Sequence, residues 1–502
     1  MSSTEGLKSR SKALKPLVTA RISKSEEKKS MMEEFEPLSP ASRLYHERSN
    51  NCVIIVIIGS KMKIDPIVFK AGIEKSLVKH SNSRFSCIQV MDKGGNINLV
   101  QTKVDLENHV YVPDLDPNMD SPDQFVEDYI SNLSKTSIDM SKPLWELYIL
   151  NVKTAEADAL VVFKIHHSIG DGLSISSLLF ACARKISDPD QLPTLPFQKI
   201  SPKKSQFNWW WIFAKIWMAF LWFWNTFVDV WMSTAVIMYL KDVHTPLKGA
   251  PGVEFRQKRF VHRTVSLDDV KLVKNSMNAT INDVIVGVST AALSRYLNRR
   301  YGDGEDGTDT KINNLPKNIR ITASIPVNIR GTAEIRKFAE MMENDETGIK
   351  LSNRNGYVLF PFDIALQDNP LDYVHHAKSV IDRKKQSFGP ICAFLSSMLI
   401  IKFFGYKVAV ALFERVFAHI TVIFSNVAGP LEEISMFGYP ITYIAPSVYG
   451  HPEALTLHFQ SYANKMTVVL GVDEETIPDP HQLCDDIEKS LKLIKEAVIS
   501  RQ

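Results

Sequence analysis

At 502 residues the chain has room for two or three domains, each long enough to bury its own core. Lysine and arginine number 59 against 56 acids, and a net charge of +3 gives no electrostatic reason to expect nucleic acid as a partner. Five cysteines (Cys52, Cys87, Cys182, Cys392, Cys484) are odd in number and scattered, with no CxxC, which excludes a disulfide framework and suggests reduced thiols facing the cytosol.

Residues 1–35 are rich in Lys, Ser and Glu and lack the apolar stretch of a signal peptide, so a disordered tail is expected. Its basic part, Lys8 to Arg21, reads as solvated, with contact to anionic lipid the sharper alternative. Residues 36–200 alternate strands at Cys52–Gly59, Phe85–Val90 and Ala159–His167 with helices at Asp65–His80 and Ser121–Ser134, the pattern of an α/β half. A hydrophobic linker follows over 201–255, and 256–502 forms a second α/β half. That half opens on a strand at Phe260–Ser266 and a helix from Asp268 with Ser266 as its cap. Thr280-Ile-Asn-Asp283 starts another helix running to Leu297, and the charged, glycine-rich stretch Arg299–Asp309 is a surface loop. Leu455–Tyr462 and Met466–Val472 flank Ala463-Asn464-Lys465 and predict a hairpin.

The most informative segment is Ile165-His166-His167-Ser168-Ile169-Gly170-Asp171-Gly172. It closes the apolar run from Ala159 and precedes Leu173–Leu179, which takes up helical spacing, so it reads as strand, tight turn, helix. Neighbouring strand residues point to opposite faces, so His166 and His167 cannot do the same job, and one of them can face a cavity as a general base. A buried histidine is more often a satisfied core residue. Here the glycines at 170 and 172, expected to permit a sharp turn and the close approach of a ligand, and the acid between them favour the functional reading. Asp171 either faces the cavity or braces the loop through an arginine. Divergent histidines with no Cys or carboxylate cluster argue against a metal.

Seven of the eight tryptophans, Trp209 to Trp231, fall within 23 residues, and from Trp209 to Val228 only Lys215, Asn225 and Thr226 are polar. Twenty such residues in a helix cover about 30 Å, so hydropathy predicts a membrane span with Lys203 and Lys204 on its cytosolic flank. Tryptophan prefers the interface, however, and the apolar run continues past Asp229 to Leu240. A shallow re-entrant or monotopic hairpin is therefore expected in preference to a span. Ile391–Leu412, apolar at helical spacing, could line a tunnel or lie on a membrane, with plain core as the default.

HHxxxDG resembles the signature of the CoA-dependent acyltransferase superfamily. Pro37-Leu-Ser-Pro40, Pro143-Leu-Trp145, Asn282-Asp-Val284 and Ser425-Asn-Val-Ala-Gly-Pro430 narrow the likeness to the wax ester synthase/diacylglycerol acyltransferase family in its plant form. The likeness runs from about Glu36 to the C-terminus; Ala428 stands where that family's last motif usually has proline, which loosens a loop without removing a reactive group. It implies an α/β fold of two related chloramphenicol-acetyltransferase-like halves with the site in a tunnel between them. It further implies acyl transfer from acyl-CoA to a long-chain fatty alcohol or diacylglycerol, with membrane lipids as neighbours, no bound cofactor and no acyl-enzyme. His167 is then the general base, with His166 and Gly172 beside it. Asp171 serves loop architecture with Arg330, in Ile325-Pro-Val-Asn-Ile-Arg330, as its partner. Asn282, with Ser425 and Asn426 as second choice, is the candidate for holding the oxyanion, and Trp145 for packing the substrate channel or core. The expected location is the endoplasmic reticulum membrane with the site facing the cytosol, the plasma membrane being the alternative. Two other readings stay open: a soluble-acceptor acyltransferase of the same superfamily, and a non-catalytic lipid-binding protein.

Overall fold

A computed structural model describes residues 36–47, 50–78, 84–93, 95–116, 118–196, 209–302, 312–330 and 351–501. The expected tail 1–35 and most of the loop expected at Arg299–Asp309 lie outside them; the first residues of that loop instead extend a helix.

The first part of the chain contains strands β1 (Glu36–Pro37), β2 (Val53–Ser60), β3 (Cys87–Met91), β4 (Ile97–Gln101), β5 (Val110–Tyr111), β6 (Trp145–Leu150), β7 (Ala159–His166) and β8 (Ala183–Lys185). Its helices are α1 (Pro40–Arg43), α2 (Pro66–Ile73), α3 (Pro122–Lys135) and α4 (Gly172–Ala181). The later part adds β9 (Arg259–Ser266), β10 (Ile321–Asn328), β11 (Asn355–Phe362), β12 (Val422–Val427), β13 (Ile434–Met436), β14 (Tyr439–Tyr449), β15 (Leu455–Tyr462) and β16 (Lys465–Val472). Its helices are α5 (Trp209–Met238), α6 (Leu267–Ser276), α7 (Ile281–Tyr301), α8 (Leu371–Lys385), α9 (Gly389–His419) and α10 (Pro480–Ile499).

Strand β2 is Val-Ile-Ile-Val-Ile-Ile-Gly-Ser and buried at every position, as is β7 beside it: β-branched runs covered on both faces make central strands. The local signals for α6 and α7 act as expected. Ser266 accepts from the Asp269 N–H, and Thr280 with Asp283 closes a reciprocal capping box. β15 and β16 pair as a hairpin, with Tyr462 opposite Lys465.

Two sheets result. The first runs β5-β6-β7-β2-β14-β13-β8 and the second β11-β10-β12-β15-β16-β9. The boundary expected at residue 256 is crossed by β13 and β14, which leave the second half in sequence and join the first sheet. There β14 lies antiparallel to β2, with Tyr449 opposite Val53. Strand pattern alone does not say which sheet a strand enters, so this exchange is invisible in the sequence. Each sheet carries its own apolar core, one built around Ile55, Phe85 and Phe163, the other around Val284, Phe424 and Leu470.

The hairpin expected within 209–240 does not form. Residues Trp209–Met238 make one continuous 30-residue helix, about 45 Å long. No glycine or proline interrupts the run, so nothing in it forces a turn. Among the described residues the helix long and apolar enough to cross a membrane is α9, not α5, because indole N–H groups make a tryptophan-rich helix less apolar than a leucine-rich one.

α9 is also not core: only 6% of its most apolar window is buried. It lies beside α5, where the Phe388 N–H donates to Thr226 Oγ1 (2.9 Å) and Arg415 Nη2 to the Met238 carbonyl (2.9 Å). Gly356 of β11 permits the contact that seats α9: a Cβ there would stand 2.1 Å from the Pro390 carbonyl oxygen. Gly356→Ala is expected to lose about 1–3 kcal/mol through overpacking, read as a lower melting temperature of the purified protein. An unchanged melting temperature would show that α9 is not held by this contact.

Candidate active site

The turn after β7 holds both histidines, and burial separates their roles. His166 is 1% exposed and both ring nitrogens are engaged, Nδ1 at 2.7 Å from Ser168 Oγ and Nε2 at 2.8 Å from Asn51 Oδ1. Burial, with His46 and His167 nearby, holds its pKa far below the ordinary imidazole range, so it is a neutral structural group. Ser168 is itself fully buried in this network.

His167 is 9% exposed. Its ring stacks on Tyr45, centroids 4.2 Å apart and planes 16° from parallel. Asn353 Oδ1 lies 3.1 Å from Nδ1, while Asn353 Nδ2 donates to the His167 carbonyl (2.9 Å) and to Ser42 Oγ (2.9 Å). A carbonyl only accepts, so the amide nitrogen must face it and Oδ1 must face the ring. The neutral imidazole then carries its proton on Nδ1 and keeps a lone pair on Nε2, to which no group among the described residues hydrogen-bonds. Burial lowers the pKa of His167, and Asp171 opposes that shift only in part.

Asp171 points away from any cavity. It caps α4, with Oδ1 accepting from Ser174 N (3.0 Å), while Oδ2 accepts from Arg354 N (2.9 Å) and lies 2.8 Å from Arg330 Nη1. Both side chains of the ion pair are fully buried. Arg330 Nη2 also donates to Ser174 Oγ (3.0 Å) and to the Ser352 carbonyl (2.8 Å). Arg84 secures the other side of the turn by donating to the Ser168 and Ile169 carbonyls at 3.2 and 3.1 Å.

The glycines do less than expected of them. Neither Gly170 nor Gly172 adopts the left-handed conformation. Gly170 packs against Ser174 and Leu351, and a Cβ at Gly172 would meet nothing within 4 Å, so Gly172 leaves open space at the head of α4.

Trp145 belongs to the core. It is fully buried against His109, Phe85 and Phe163, its Nε1 donates to the Phe85 carbonyl (2.9 Å), and it does not line the cavity described below.

Asn426 Nδ2 donates to Asn282 Oδ1 (2.6 Å) in a pair on the exposed surface. Thr280 and Asp283 do the capping there, which leaves Asn282 free for this contact. Ser425, half-buried, is opposite His458 in the neighbouring strand. None of the three is hydrogen-bonded to His167 or to its partners.

Four functional candidates were missed by motif reading: Ser42, Tyr45, Asn353 and Tyr357. Tyr45, Asn353 and Tyr357 line a cavity of about 200 Å³ that continues between α5 and α9, past Ser233, Ser396 and Phe413. The only sequence signal was a polar cluster, Ser352-Asn-Arg354, just ahead of a strand. A buried neutral histidine with a fixed tautomer, an open Nε2 and an apolar cavity alongside can remove a proton from a hydroxyl group.

Comparison with known proteins fits this arrangement. Residues 90–217 match the wax ester synthase/diacylglycerol acyltransferase catalytic domain, and 351–495 match the WS/DGAT C-terminal domain. Wax ester synthase/diacylglycerol acyltransferase 11 of Arabidopsis thaliana is 47% identical over 483 residues, 95% of this chain and 98% of the relative. The chain belongs to the wax ester synthase/diacylglycerol acyltransferase family. It is an acyltransferase. Number 4 of the same Arabidopsis set is also 47% identical, over 94% of this chain and 92% of its own length. The fold is that of the wax ester synthase/diacylglycerol acyltransferase from Marinobacter aquaeolei VT8, with a TM-score of 0.58 at 17% identity over 92% of this chain and 99% of that one. It is shared with the first condensation domain of the calcium-dependent antibiotic synthetase, with a TM-score of 0.54 at 10% identity, covering 93% and 96% of the two chains. These likenesses support the expected two-half acyltransferase architecture.

In this family member, Asp171→Asn would leave the buried Arg330 guanidinium without its counter-charge, a loss on the order of 3–5 kcal/mol. Melting temperature and activity are expected to fall together. An unchanged melting temperature with lost activity would instead give Asp171 a direct part in the chemistry.

Proposed function

We propose that the protein transfers a long-chain acyl group from acyl-CoA to the hydroxyl of a fatty alcohol, and also of diacylglycerol, with His167 as general base. The observation that carries this reading is the fixed tautomer of His167, which leaves Nε2 open on a ring held by Tyr45 and Asn353, two residues that line the cavity. An alcohol is a poor nucleophile at neutral pH because its pKa lies far above 7. Nε2 takes its proton as the oxygen attacks the thioester carbonyl. The tetrahedral intermediate collapses with cleavage of the C–S bond, and the imidazolium returns the proton to the departing CoA thiolate. The products are an ester and free CoA. No acyl-enzyme forms, since Ser168 is buried and engaged with His166. Asn353 and Tyr45 position the ring. We place the enzyme at the endoplasmic reticulum membrane with this site on the cytosolic side, consistent with five free cysteines.

The test is a membrane-fraction assay with labelled palmitoyl-CoA, offering hexadecanol and diacylglycerol in parallel. Wild type is expected to form wax ester or triacylglycerol, and His167→Ala to lose about 10²–10⁴-fold in turnover with an unchanged fold. Failure of well-folded wild type on both lipids would reject the reading.

The pH dependence has a defined sign. The base works as the neutral imidazole, and burial lowers its pKa. The acidic limb of kcat/KM is therefore expected below the about 6.5 of free imidazole. A limb at or above that value would point to another base.

A further inference from the structure

The cavity beside His167 does not end inside the protein. Ser396 of α9 both lines it and is exposed, so the cavity reaches the surface there, and Ser233 of α5 lines the facing wall. The hydroxyl of Ser396 accepts its own helix's geometry, donating back to the Ala393 carbonyl (3.2 Å), and that of Ser397 does the same (2.8 Å), so this mouth presents a largely apolar surface.

The exposed faces of the two helices are apolar too. Trp217 and Phe223 on α5, and Phe403 and Phe404 on α9, are each more than 60% exposed. A patch of this kind on two adjoining helices exceeds what a soluble surface normally tolerates. Phe403 and Phe404 stand at a corner where α9 breaks at Gly405 (φ +82°, ψ 173°). Lys402 and Lys407 flank that corner, and Lys215 is exposed on α5; the acids on these helices, Asp229 and Glu414, are buried and half-buried. Aromatic and aliphatic groups fringed by exposed cations match the interface of a bilayer containing anionic lipid.

Asp229 also fixes the attitude of α5. It lies far along the helix, is buried, and pairs with Lys384 of α8 at 2.6 Å, so that stretch of α5 has one face on protein and cannot be ringed by lipid.

We infer that the seam between α5 and α9 is a lipid door: the two helices lie in the plane of the membrane surface, and the acceptor alcohol passes from the bilayer into the cavity between Ser233 and Ser396 without crossing water. This rests on the reaction assigned above and names the route by which that site is filled. The acceptor's hydroxyl arrives at Nε2 while its hydrocarbon chain trails along α9 towards the lipid.

The full-length protein is assayed with vesicles of equal parts phosphatidylcholine and phosphatidylserine carrying hexadecanol, with water-soluble butanol as the second acceptor. Ser396→Trp is expected to keep sedimenting with vesicles and to lower the ratio of hexadecanol to butanol transfer by about tenfold or more, because a bulky ring fills the mouth. The double variant Trp217→Asp, Phe404→Asp is expected to lose vesicle binding, and with it transfer to hexadecanol. An unchanged ratio in Ser396→Trp overturns the door. Wild-type-like vesicle binding by the double variant overturns the membrane face, as does a dimer, broken by the same substitutions, in a protein that ignores vesicles. If wild type acylates neither alcohol while binding vesicles, the fault lies with the assigned reaction.

Discussion

The buried contact of Asp171 with Arg330 and with the Arg354 N–H is the constraint on which the rest depends. The HHxxxDG turn belongs to the first sheet, yet the groups that hold Asp171 and orient the His167 ring come largely from the second half. Arg330 supplies the counter-charge, the Arg354 N–H and the Ser352 carbonyl complete the turn, and Asn353 sets the proton on the His167 ring. A charge pair so deeply buried is not a strong source of stability in itself, because desolvation offsets most of its attraction. Its value is geometric. Neither half can move against the other without leaving a bare charge in the interior, so the histidine and its tautomer are fixed only when the halves are docked. The passage of β13 and β14 into the first sheet acts in the same direction, tying the halves by backbone hydrogen bonds.

That docking explains how chemistry and lipid handling are divided. The protein turns a polar, hydrogen-bonded network towards His167 from one side, and an apolar wall built of α5 and α9 from the other. Water would compete with the acceptor for the thioester, and an apolar approach limits it. The same helices present their outer faces as the most apolar exposed surface among the described residues. Interior cavity and exterior patch are therefore two sides of one structure, and along the middle of α5 the amphipathic logic of a surface helix is inverted: Trp224 and Phe227 face outward while Asn225 and Asp229 are buried.

Much of the site was legible along the chain because local rules govern it. The strand–turn–helix reading of Ala159–Leu179, the caps at Ser266 and Thr280 and the hairpin at Ala463 each follow from contiguous residues. The pairing of Asp171 with an arginine was a legible kind of contact, since a buried acid in such a turn needs a counter-charge. Asn353 and Tyr45 carried no such mark. An asparagine before a strand and a tyrosine in a short helical turn are ordinary surface residues by type, and only their convergence on His167 gives them meaning. Trp145 misled in the opposite direction, because its large ring fits core and channel equally well by composition, and the partner for its N–H, the Phe85 carbonyl, lies 60 residues away in sequence.

The membrane-facing helices show the limit most clearly. Hydropathy located both segments; the length of α5 follows from an apolar run without glycine or proline, whereas α9 breaks at Gly405. The continuous α5 replaces the hairpin expected in 209–240, and the assignment of Ile391–Leu412 to the core fails because α9 has protein on one side only. By itself, then, the sequence determined the α/β class, the histidine turn and the presence of two long apolar segments, since each rests on periodicity, capping or a contiguous motif, while its resemblance to the acyltransferase family supplied the chemistry. Only the tertiary structure decided which histidine is open, which residues orient it, which sheet receives β14 and which faces of α5 and α9 remain uncovered. Those are matters of contacts between residues hundreds of positions apart, and no local rule encodes them.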